Sequence, residues 1–119
     1  MNITELHNCA MDLADRADIQ KAKGLREKAI LLYEQSYNFE YKAAMLAYQN
    51  KIGEPSVSIL LRSAASLAIS CLKYKEADKL IKLAFSGEPP VEIAEELKSL
   101  LNNVILYRPS IGYSYVAYP

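Results

Sequence analysis

The chain has 119 residues, enough for one domain with a substantial core and too few for two. Fourteen Lys and Arg balance fourteen Asp and Glu, and 51% of the residues are apolar, with four Gly, five Pro and no Trp. This excludes low-complexity, collagenous and disordered chains, and the zero net charge lacks the overall basic footprint of a nucleic-acid or anionic-membrane binder.

The opening residues, Met1-Asn2-Ile3-Thr4-Glu5, carry neither the basic region nor the apolar run of a signal peptide, so a cytoplasmic protein is expected. Ile3, Leu6, Ala10, Leu13 and Ala17 recur at helical spacing and predict a helix over residues 3 to about 22, with Asn2 and Glu5 forming a capping box at its start. Gly24 breaks the pattern. Residues 25 to about 50 then predict a second helix, about 39 Å long at about 1.5 Å per residue, ending in a turn over 51–55. The third, 56 to about 72, is apolar nearly all round, which places it in the middle of the packing. Its apolar stretch is interrupted by Arg62 and four serines and falls short of a bilayer span, so no membrane partner is expected. A fourth, 75 to about 86, carries Ala77, Leu80, Ile81, Ala84 and Phe85 on one face and stops at Gly87. Pro89 and Pro90 open a fifth, 91 to about 106, whose Glu92, Glu95 and Glu96 suit the positive end of the helix dipole. Pro109, Gly112 and the alternating tyrosines are not helical, so residues 108–119 read as an extended tail behind a single domain, 1–107.

Residues that could carry chemistry are sparse. His7 and Cys9 are two apart and do not face each other on a helix, so His7 is expected to face solvent and Cys9 and Cys71 to be buried, reduced thiols. The glycines are isolated and make no phosphate loop. Lys73, Lys75, Lys79 and Lys82, interleaved with Glu76 and Asp78, read as a solvated face. No catalytic set, metal site or cofactor is expected. The tyrosines say more. Tyr33, Tyr37, Tyr41 and Tyr48 form one stripe along the second helix, with Ala44 between the last two, while Ala29, Leu32, Phe39, Ala43 and Leu46 form another. Such a helix touches either two neighbours or one neighbour and one partner. Tyrosine, buried over its ring with its hydroxyl at a rim, suits an interface, and it equally suits packing beneath the fifth helix.

From Leu61 through Ala64, Ala65, Tyr74-Lys75-Glu76-Ala77, Ile81 and Ala84 to Pro89, the sequence resembles a tetratricopeptide repeat, with Leu61, Ala65 and Ala68 standing where the family has Trp, Gly and an aromatic residue. Leu13, Ala17, Gly24, Ala29, Tyr33 and Ser36 resemble a looser first copy; the last four alone also resemble part of a microtubule-interacting and trafficking domain. The resemblance implies an all-α, right-handed array of antiparallel hairpins, two repeats with the fifth helix as cap, and a groove lined by the first helix of each pair. By offset that lining is Met11, Ala14, Asp15 and Asp18, then Ile59, Arg62, Ser66 and Ile69, with Arg62 its only cation. The expected function is non-catalytic protein binding through the Tyr33–Tyr48 stripe or through Arg62, Ser66 and Ile69, or self-association as a homodimer, with Tyr113, Tyr115 and Tyr118 of the tail in a groove of the same or a second copy. The competing class is a helical subunit of an enzyme or nucleic-acid effector complex with no complete active site of its own.

Overall fold

The computed structural model describes residues 1–107. It holds five α-helices and, among those residues, no strand: α1 (Ile3–Ala22), α2 (Arg26–Gln49), α3 (Ser56–Ser70), α4 (Tyr74–Phe85) and α5 (Val91–Tyr107). The tail tyrosines Tyr113, Tyr115 and Tyr118 lie outside the described residues. α1 begins as its sequence requires: the Asn2 side chain accepts from the Glu5 N–H, and the Glu5 carboxylate accepts from the Asn2 N–H.

Three helices end in the same way. At the close of α1, α2 and α3 the chain turns through a left-handed residue, at Gly24 (φ +79°), Lys51 (φ +52°) and Leu72 (φ +67°). In each, two backbone N–H groups fold back on the last turn, as Leu25 does on Gln20 and Gly24 on Lys21, the hydrogen-bond pair of the Schellman motif. Gly24 and Leu72 lie 48 positions apart, and the residues after them, Leu25 and Lys73, share nearly the same backbone angles as they open α2 and α4. The hairpin α1–α2 is thus repeated as α3–α4, turn for turn.

Successive helices pack as neighbours, and α5 lies against both α3 and α4. The array is 22 Å thick, about two helix diameters. Fully buried alanines line the contacts, including Ala43, Ala44 and Ala47 on α2, Ala64, Ala65 and Ala68 on α3, and Ala77 on α4. Side chains this small let helix axes approach closely, and Leu61, Ile81, Leu97 and Val104 fill the remaining space. At the end opposite the hairpin turns, Glu54 joins two connections. It accepts from the Ser58 hydroxyl and from the Glu88 N–H (3.1 Å), tying the α2–α3 link to the α4–α5 link.

Candidate functional site

The tyrosine stripe of α2 divides between interior and surface. Tyr33 and Tyr37 are buried, at 7% and 6% exposure, whereas Tyr41 and Tyr48 stand at 41% and 46%. The stripe is therefore not one continuous binding face; in its buried half Tyr33 shares an opening with Tyr107 of α5, while Tyr37 lies toward α4. Tyr33 reaches α1 and donates to Asp18. Tyr37 lines a groove between α2 and α4, its ring 5.8 Å from that of Tyr41 and tilted by 40°. Burial pushes the Tyr33 and Tyr37 hydroxyls up to about 12, reinforced for Tyr33 by Asp18 and for Tyr37 by Glu76. Both hydroxyls are neutral at physiological pH.

What the stripe leaves exposed is an apolar ridge. Tyr41 and Met45 stand between two depressions along the second half of α2. On one side, about 460 Å³ opens between α2 and the start of α1, bounded by Met1, Leu6, Phe39 and Leu46. On the other, about 290 Å³ opens toward Leu80 and Leu83 of α4. The polar residues at these rims are Lys42, Gln49, Glu76 and Lys79. Methionine beside tyrosine gives a face that adapts its shape while presenting large, rigid contact area, a composition suited to capturing apolar side chains. Sequence reasoning missed Met45, although its place four residues after Tyr41 puts it beside the tyrosine stripe.

Of the lining expected on the first helices, Asp15, Asp18 and Ser66 are exposed and the rest partly buried. Arg62 forms an ion pair with Glu96 of α5, and with Ser66, Ser99 and Leu100 it borders a cleft between α3 and α5. Arg62 is thus paired with a carboxylate of α5 while remaining partly exposed. Ser66 remains exposed. Ile69 is partly buried and faces a different cavity, at the hairpin turns, which it shares with Tyr33. The Tyr33–Tyr48 stripe and the Arg62–Ser66–Ile69 set therefore do not converge on one site.

His7 corrects its expected place in solvent. Its Nδ1 lies 2.9 Å from both carboxylate oxygens of Glu40, whose side chain is fully buried between α1 and α2. A buried carboxylate needs such a partner, because an unpaired charge away from water is strongly unfavourable. Nearby, the buried Ser36 hydroxyl donates to the Ala10 carbonyl at 2.6 Å. Cys71 is buried and its thiol is pushed up to about 11 by burial, which suppresses thiolate chemistry, while Cys9 is partly exposed rather than buried. Among the described residues no cluster of His, Cys, Asp or Glu could hold a metal ion, and no helix is long and apolar enough to cross a membrane. No protein-family model, curated protein or solved structure matches the chain.

Proposed function

We propose that this protein is a non-catalytic, cytoplasmic interaction module of the tetratricopeptide-like kind, holding an apolar peptide or helix of a partner protein along the second half of α2. The observation that carries the reading is the Tyr41–Met45 ridge with an open apolar depression on each side. Such a ridge accepts anchors spaced along a helix or an extended segment. The repeated hairpins and their shared turn geometry support a helical-repeat scaffold, in which rigid helices hold the binding residues in place.

The test is affinity capture with the full chain, run in parallel with a Tyr41→Ser, Met45→Ser variant. Both side chains are at least partly exposed, so the variant is expected to keep its helicity and its melting temperature within a few degrees while losing the proteins that the wild type retains. A variant that folds and holds the same partners with the same strength refutes the assignment.

A further inference from the structure

A zero net charge conceals a local imbalance at the first hairpin turn. Between positions 21 and 28 the chain carries Lys21, Lys23, Arg26 and Lys28 against the single Glu27. All four cations are exposed, and none makes an ion pair among the described residues. Elsewhere Lys73 pairs with Glu34 at 3.2 Å, Lys82 with Asp78 at 3.0 Å and Arg62 with Glu96, while Arg16, Lys42, Lys51 and Lys79 are spread singly along the chain. The densest run of cations in the sequence is thus the one at this turn.

That same end exposes apolar side chains at the tips of both turns. Leu25 is 41% and Leu72 48% exposed. Leu72 also occupies a left-handed position (φ +67°) where glycine fits without strain, so a large apolar residue is kept there at a conformational cost. Between the turns lies an opening of about 480 Å³, bordered by Lys21, Arg26, Leu72, Tyr74 and Tyr107, and among the described residues no carboxylate lines it. The nearby Asp18 is engaged by Tyr33. Tyr107 stacks on Tyr74 at 5.6 Å and is half exposed.

Unpaired Lys and Arg, protruding leucines and rim tyrosines are the composition of a face that sits at a lipid–water boundary. Cations meet acidic headgroups, aliphatic tips enter the acyl boundary, and tyrosine prefers the layer between. The geometry points to peripheral docking of this end on an anionic lipid surface, with Lys21, Lys23, Arg26 and Lys28 on the headgroups and Leu25 and Leu72 below them. An acidic protein surface would satisfy the cations but gives no reason for leucine at two turn tips. The docking face is separate from the Tyr41–Met45 ridge and does not depend on the ridge's function.

Co-sedimentation of the full chain with vesicles tests it, comparing phosphatidylcholine alone with vesicles holding about 30% phosphatidylserine, at about 0.05 M and about 0.3 M salt. Binding is expected only to the anionic vesicles and is expected to weaken at the higher salt. Each removed charge should weaken binding about fivefold, so a Lys21→Gln, Lys23→Gln, Arg26→Gln variant should lose on the order of a hundredfold. Leu72→Gly separates docking from folding, because it should reduce binding several-fold without lowering the melting temperature. Equal binding to neutral vesicles, no binding to anionic ones, unchanged binding by either variant, or capture of polyglutamate without vesicle binding would each overturn the proposal.

Discussion

At equivalent depths in their interiors, the first hairpin holds Tyr33 and Ser36 where the second holds Ile81 and Ala84. Between α1 and α2, each buried polar group finds a specific acceptor or donor: Tyr33 with Asp18, Ser36 with the Ala10 carbonyl, Glu40 with His7. Their counterparts for Tyr33 and Ser36, Ile81 and Ala84, are apolar and buried, and Glu40 has none, because α4 ends at Phe85. The same backbone plan is thus stabilised in two ways. Polar pairs add little net stability, since each replaces hydrogen bonds to water, but their loss leaves a costly orphan. Apolar burial contributes directly, and its loss leaves a cavity.

This contrast orders the expected effects. Ile81→Ala, at a fully buried position in the apolar hairpin, is expected to lower unfolding free energy by about 3–4 kcal/mol in denaturant titrations. His7→Leu should lower it by about 2–3 kcal/mol, less than a fully enclosed pair because His7 is itself partly exposed. Adding Glu40→Met to His7→Leu should recover most of the loss; if the double variant is as unstable as the single one, the orphaned-carboxylate explanation fails.

The alkaline limb of stability comes next in size. The Tyr33 and Tyr37 hydroxyls sit near 12 when folded and near 10 when unfolded, so folding favours their neutral forms. That contribution is complete below pH 10 and is lost as pH rises from 10 through 12, on the order of 2 kcal/mol for each residue. Melting temperature measured across this window should fall less steeply in Tyr33→Phe and Tyr37→Phe than in the wild type. The smallest effect has the opposite sign: Leu72→Gly should raise stability by about 1 kcal/mol, relieving the left-handed backbone that Gly24 already accommodates in the first turn. Calorimetry showing no gain would mean that the half-exposed Leu72 side chain contributes packing of equal size.

The helices were legible because their signals are local. The Asn2–Glu5 cap, the break at Gly24, the stop at Gly87 and the three-and-four spacing of apolar residues each act within a turn or two of the chain, and the observed boundaries differ from the expected ones by at most two residues. The site was less legible because spacing shows which residues share a face and not which element covers it. Tyr33, Tyr37, Tyr41 and Tyr48 share a stripe, yet α1 and α4 cover two of them and leave two bare. Glu40 is charged and so reads as a surface position; its burial depends on His7, 33 residues earlier. Glu54 escaped notice because its partners, Ser58 and the Glu88 backbone, meet only when two connections come together.

The place of α1 in the array also bears on the order in which the molecule comes apart. α1 packs chiefly on α2, whereas α3 is held by α2, α4 and α5. Held on one side only, though by the most extensive contact between any two helices, α1 is expected to leave as one unit, a partial opening short of global unfolding. Such an opening returns Glu40 to water, so the open form is spared the desolvation that the closed form carries. Amide protons of α1 should therefore exchange through a lower-energy route than those of α3, which α2, α4 and α5 enclose.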